Sequence, residues 1–180
     1  MGREIRIVPV DWKHPKKQQY NRQTGKDEDT EEYHPVFDEH YSDAAKSWMD
    51  GYSLWLKGEH PRQSEPDCDY IHFWEYEGNP PDRDYYLPDW PENSVMGVCL
   101  YQTVSEGTPV SPVFETLDLL AEHLAEHGDF WDKLRGNPGW GIERAKAFCA
   151  SGWAPSFIGS AETGLVEGKL FVPEKVEVSE

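Results

Sequence analysis

The run His123-Leu124-Ala125-Glu126-His127 holds the most pointed arrangement of chemical groups in the chain. Histidines at i and i+4 fall on one helical face and can share a divalent cation, with the intervening glutamate beside a metal-bound water. This is the H-x-x-E-H spacing of inverted zinc proteases. On that reading His123, Glu126 and His127 are the candidate metal site of a small metal-dependent hydrolase. The surrounding pattern argues against it. Gly128 ends the helix, so His127 sits in the last turn, where the macrodipole alone favours a histidine. His123 and Glu126 fall off the apolar seam, and no third ligand follows.

A second group, Cys68 and His72 among Asp67, Asp69 and Glu75, has residue types suited to a nucleophile or a metal. Strand periodicity puts Cys68 and His72 on one face beside Tyr70 and Trp74, which packing explains more simply. Cys99 and Cys149 lie in apolar contexts and read as small core residues. Three widely spaced cysteines without a CxxC pair imply reduced thiols and a cytoplasmic setting. Ser105, Thr108 and Ser111 belong to a turn-rich stretch that lacks a G-x-S-x-G elbow, and no glycine loop suits a phosphate. No cofactor is expected.

The elements that must position these groups predict an α+β fold. The expected architecture is a single domain with a small, mostly antiparallel sheet, two or three helices and long loops. Arg3–Val8 alternates as a first strand and stops at Pro9. Residues 11–30 are polar, hold the only basic run, and read as a flexible insertion loop. Ser42 is placed to cap a helix over Asp43–Lys57, whose stripe of Trp48, Met49, Tyr52, Trp55 and Leu56 faces a core. Gly58 closes that helix.

Tyr70–Tyr76 reads as a strand, Leu87–Glu92 as an extended loop pinned by Trp90, and Met96–Val104 as a second strand. Ser105–Pro109 is a turn and Val110–Phe114 a short apolar element. Thr116 caps a helix over Leu117–His127 with Leu117, Leu120, Ala121 and Leu124 inward. Phe130–Trp140 reads as a loop or an irregular turn, Ile142–Ala150 as a helix with Phe148 and Cys149 inward, and Gly152–Ile158 as the lead-in to a strand. Leu165–Val172 resembles a hairpin turning at Glu167-Gly168. Residues 173–180 read as a frayed acidic tail.

Charge narrows the partners. The 34 Asp and Glu outnumber the 17 Lys and Arg, a formal net charge of −17, which disfavours nucleic acid and anionic membranes and favours a basic protein. Hydrophobic content is 37% and mean hydropathy −0.78, values that lean toward disorder, but a 13% share of aromatic rings can build a core short of aliphatic residues. The opening residues carry no apolar segment of the kind a signal peptide needs, and no run is long and apolar enough for a membrane span. Oligomeric state is not readable from the sequence.

Acids and rings are interleaved most densely in two looped stretches, 27–41 and 82–92. There Tyr33, Phe37, Asp38, Glu39, Tyr41, Asp82, Asp84, Tyr85, Tyr86, Asp89 and Trp90 are the candidate partner-binding residues. Rings would anchor the partner and carboxylates steer it. A different use of aromatic residues, stacking a small ligand or nucleotide on Tyr70, His72, Trp74 and Tyr76, would make the protein a sensor.

The stretch Tyr101-Gln102-Thr103-Val104-Ser105-Glu106-Gly107-Thr108-Pro109-Val110-Ser111-Pro112-Val113-Phe114-Glu115-Thr116 is distinctive. So are Trp12-Lys13-His14-Pro15, Trp48–Leu56, Leu87-Pro88-Asp89-Trp90-Pro91 and Gly152-Trp153-Ala154-Pro155-Ser156. Together they resemble an uncharacterised family of small acidic proteins encoded by tailed bacteriophages. The resemblance runs from about Arg3 to Phe171, and the histidine pair of 123–127 lies outside it. It implies an accessory protein in the cytoplasm of an infected bacterium. It carries no activity across. The expectation is a non-enzymatic phage accessory protein that binds and modulates a basic host protein, of the nucleic-acid-handling or anti-phage defence kind.

Overall fold

The alternation at the start of the chain forms β1, Gly2–Pro9, and the later apolar run forms β4, Met96–Thr103; the two pair antiparallel with Ile5 opposite Leu100 and Arg6 opposite Cys99. The structure is a computed structural model, and it describes residues 2–103, 106–155, 157–160 and 164–170. The chain is α+β, as its pattern predicts, and its residues gather into two compact units, Met1–Pro35 with Glu92–Glu180, and Val36–Pro91.

In the first unit the sheet has strand order β5-β4-β1-β6, with β5 at Gly107–Pro109 and β6 at Trp153–Ala154. Residues 107–109, expected as part of a turn, are thus an edge strand. Because side chains alternate along a strand, the sheet has two distinct faces. On one, Leu100 joins Leu120, Leu124 and Phe148 in the core, with Ile5 and Val98 packed against it. On the other lie Arg6, Val8, Cys99 and Tyr101, all buried. Charged Arg6 is therefore inside while Ile7 is 64% exposed, the reverse of the usual sense of such an alternation. Arg6 donates to Glu4 at 2.6 Å, and its guanidinium lies 4.4 Å from the centre of the Tyr101 ring. Gly107 makes room for it, since a Cβ there would collide with the Arg6 guanidinium.

The first face is covered by α3, Leu117–His127, and α5, Ile142–Ser151. Thr116 caps α3 by accepting from the Leu119 amide at 3.2 Å, and Gly128 ends it, as expected. Leu117 is exposed, so the buried seam is Leu120, Ala121 and Leu124. The predicted loop after α3 contains α4, Phe130–Arg135. Its signal is the Asp129 carboxylate, which accepts from the Trp131 and Asp132 amides at 2.9 and 3.0 Å.

The hairpin expected at 165–172 forms elsewhere: β7, Phe157–Ser160, pairs with β8, Gly164–Glu167, and Gly168–Leu170 is a 3-10 turn. Gly168 serves close packing, because a Cβ would collide with the Pro155 carbonyl. Lys169 then turns inward to Asp129 at 3.3 Å and Asp132 at 2.8 Å. Residues 104 and 105, the end of the expected hairpin at 171 and 172, and the acidic stretch 173–180 lie outside the described residues.

The expected flexible loop at 11–30 is instead largely a hairpin of β2, Lys16–Asn21, and β3, Lys26–Tyr33, turning through Gly25 at φ 68°. It has no apolar face to reveal it. Its basic strand lies against its acidic one, with Lys17 on Glu32 at 2.7 Å and Asn21 on Glu28 at 2.8 Å. Exposed pairs of this kind add little stability each, so the hairpin depends on its base.

The second unit is built on α1, Tyr41–Lys57, which begins one residue before the expected cap. Ser42 bonds Asp89 rather than the helix end. Of the predicted stripe, Trp55 is buried and Trp48 and Tyr52 are half-buried, but Met49 and Leu56 are exposed. The expected strand at 70–76 is α2, Phe73–Tyr76. The Glu75 carboxylate accepts from both the Ile71 and His72 amides at 2.8 Å and closes that short turn. Phe73 is buried among Trp48, Tyr52 and Trp55, and Gly51 admits its ring.

Candidate functional site

Ten of the eleven residues predicted to bind a partner come together in the second unit. The segments 37–41 and 85–89 run side by side: the Phe37 amide donates to the Tyr85 carbonyl at 2.8 Å, Leu87 to Glu39 at 2.9 Å and Tyr41 to Leu87 at 2.9 Å. His40 and Leu87 form a parallel bridge, and the Phe37 and Tyr86 rings lie 5.1 Å apart. Trp90 meets His40 edge-on at 4.8 Å, the plug that two flanking prolines predicted. Asp38, Glu39, Asp82, Asp84, Tyr85 and Asp89 are exposed, while Phe37, Tyr41, Tyr86 and Trp90 are half-buried. The Arg83 guanidinium lies 4.4 Å over the Tyr41 ring. Across 36–91 there are 13 acids to 4 Lys and Arg, and 12 of the chain's 24 rings.

The eleventh residue, Tyr33, belongs to the first unit, where its ring packs edge-on to His14 at 5.4 Å. The ligand-stacking row of Tyr70, His72, Trp74 and Tyr76 does not form, because there is no strand to align it; His72 and Trp74 stack on each other at 4.3 Å instead. Cys68 is half-buried, and its strand alignment with His72 disappears for the same reason.

Helical spacing does bring His123 and His127 together, with ring centres 5.0 Å apart. His123 leans on Phe114 at 5.0 Å, and His127 approaches Glu126 at 3.7 Å. Burial lowers the His123 pKa, with the His127 and Lys133 charges adding and Glu126 opposing. Among the described residues no three His, Cys, Asp or Glu side chains are grouped to hold a metal ion.

Sequence reasoning missed a site on the second face of the sheet. The Trp12 indole donates to the Tyr101 hydroxyl at 3.3 Å, and that oxygen lies 3.1 Å from His14 Nδ1. His14 Nε2 lies 2.6 Å from the His34 carbonyl. A carbonyl can only accept, so Nε2 carries the proton and Nδ1 accepts from Tyr101. The order of donation is then Trp12 to Tyr101 to His14 to the His34 backbone. Burial drives the His14 pKa down to about 4, with Arg6 and His34 adding and the bond to the His34 carbonyl opposing. With both ring nitrogens engaged, His14 is a neutral tie that seats the base of the β2–β3 hairpin, and it is not poised as a general base. Beside it, the Cys99 thiol donates to the Ser111 carbonyl at 3.3 Å; burial pushes its pKa up to about 11 against the opposing Ser111 bonds and Arg6. A thiol so held is a poor nucleophile. The available signal was Arg6 within an alternating strand, which requires something polar or aromatic across the sheet.

These side chains wall a cavity of about 340 Å³. A second arrangement in this unit buries charge. Asp129 meets Arg3 at 2.8 Å, and Asp132 accepts from Trp140 at 2.7 Å and Asn137 at 3.2 Å as well as from Lys169. Burial alone would raise the Asp132 carboxyl, but the bonds from Lys169, Trp140 and Asn137 outweigh it and hold the pKa at about 2. That network ties the start, the middle and the C-terminal part of the unit together. Compared with family models, curated proteins and solved structures, the chain matches none.

Proposed function

We propose that the protein is a non-enzymatic binder that docks a basic protein on the acidic, ring-studded surface of residues 36–91. The observation that carries this is the pairing of 37–41 with 85–89, which turns two stretches distant in sequence into one surface. That surface has five exposed carboxylates, Asp38, Glu39, Asp82, Asp84 and Asp89, around half-buried rings. Carboxylates of one sign attract and orient a cationic partner over roughly a Debye length, and aromatic edges supply the short-range contact. The resemblance to phage-encoded proteins makes the partner a bacterial host protein whose activity the complex modulates.

The test is capture from bacterial lysate at about 0.1 M and about 1 M salt, where the screening length falls from about 10 to about 3 Å. The variant Asp82→Asn/Asp84→Asn/Asp89→Asn with Tyr85→Ala is run in parallel. Basic proteins retained at low salt by the parent, released at high salt and lost by the variant are the expected result. Equal retention by the variant, or no basic protein retained at low salt, would refute the proposal.

A further inference from the structure

In a chain with twice as many acids as bases, the cavity beside Trp12 and Tyr101 has no carboxylate among its lining residues. Its two charged walls are both cationic, Lys13 and Lys16. Two other cavities of this unit among the described residues do include acids: Glu28, Asp29 and Glu31 line one, and Asp129 lines another, which borders this cavity along Tyr33, Pro109, Ser111 and Pro112. We propose that this cavity is a binding site for a small planar aromatic anion, a ring bearing one carboxylate or phosphate.

The class follows from what the walls have left to offer. His14 uses both ring nitrogens within the protein. Ser111 accepts from the Leu100 amide at 2.9 Å and donates to the Pro112 carbonyl at 2.8 Å, and the Cys99 thiol donates to Ser111. A ligand therefore meets mainly ring surface from Trp12 and Tyr33, the flat faces of Pro109 and Pro112, and two ammonium groups. Apolar planes favour an aromatic body over a sugar or a peptide, whose hydroxyls or amides would lose water without replacement. Lys13 is exposed and makes no ion pair among the described residues, while Lys16 is held only by the fully exposed Glu31 at 3.5 Å. Both can turn to an incoming anion at little cost. A volume of about 340 Å³ falls in the range of small-ligand pockets.

The experiment titrates the whole chain with indole-3-acetate, phenyl phosphate and uncharged indole-3-acetamide, reading the Trp12 indole N–H resonance (assigned by Trp12→Phe) and the binding heat. At least one anionic probe should bind about tenfold or more tighter than the amide, since a charge-assisted contact is lost in the neutral analogue. The carboxylate-to-phosphate ratio identifies which anion the site prefers. In Lys13→Gln/Lys16→Gln that preference should collapse to about unity while the amide binds as before. The proposal is overturned if no probe binds by about 10 mM, if the amide matches both anions, if binding leaves the Trp12 signal unmoved, or if the lysine variant keeps the preference.

Discussion

Lowering the pH should unseat the β2–β3 hairpin through one residue, His14. Its pKa is about 4 in the folded protein and 6.5 as an ordinary histidine. Above pH 6.5 neither the folded nor the unfolded chain holds the proton, and His14 contributes its full stabilisation. Between pH 6.5 and 4 the unfolded chain takes up the proton and the folded one resists, so stability falls as pH falls; below about 4 the loss is complete. The linkage ceiling for that interval is about 3 kcal/mol, and partial exposure of the ring brings the expected loss to about 2 kcal/mol by pH 4.5. The structural cause is explicit: a proton on Nδ1 would meet the hydroxyl hydrogen of Tyr101 and break the donation order from Trp12.

His14→Phe provides the comparison. At pH 7 it leaves the Tyr101 hydroxyl and the His34 carbonyl without their partner and costs about 2 kcal/mol. Because it cannot titrate, the gap between parent and variant should close to near zero by pH 4.5. Urea unfolding at four pH values from 7 to 4.5 measures the gap. Other histidines, His123 included, are common to both proteins and cancel. A gap that stays constant across the range, or a His14 ring that titrates near 6.5 by NMR, would refute the reasoning.

The remaining predictions concern buried charge and thiols. Lys169→Met leaves the buried Asp132 carboxylate without an ion partner, while Asp129 keeps Arg3, and should cost about 3 kcal/mol in urea unfolding at pH 7; a cost below about 1 kcal/mol would mean that the network is not buried as described. Asp132, held at about 2, contributes stability that is present above pH 3.8 and lost as pH falls through 2, so Asp132→Asn should have a flatter acid limb than the parent between those values. For the cysteines, burial and the Asp118 charge push Cys149 up to about 11, as burial does Cys99. A disulfide reagent at pH 8 should therefore titrate Cys68 quickly and the other two only after denaturation; three equally fast thiols would contradict the packing.

Much of the helical structure was legible because its signals are local. Thr116 and Gly128 bound α3, Gly58 stops α1, and apolar spacing marks Leu120, Ala121 and Leu124, since caps and a 3.6-residue period act within a few residues. The errors share a cause: polar groups that satisfy each other leave no apolar pattern. The hairpin of 16–33 pairs bases with acids, α2 is closed by Glu75, and α4 by Asp129.

For the sites the division is similar. Composition and interleaving marked the acidic, ring-bearing stretches, but only the bonds between 37–41 and 85–89 made them one surface, and Tyr33 belongs to the other unit. The cavity on the sheet was invisible in one dimension. Its parts come from four separated segments: Trp12 and His14, Tyr33, the strand around Tyr101, and Pro109 to Val113. Local sequence determines which groups can cap, turn and carry charge. Which of them meet depends on strand register, and β1 against β4 placed Arg6, Cys99 and Tyr101 on one face.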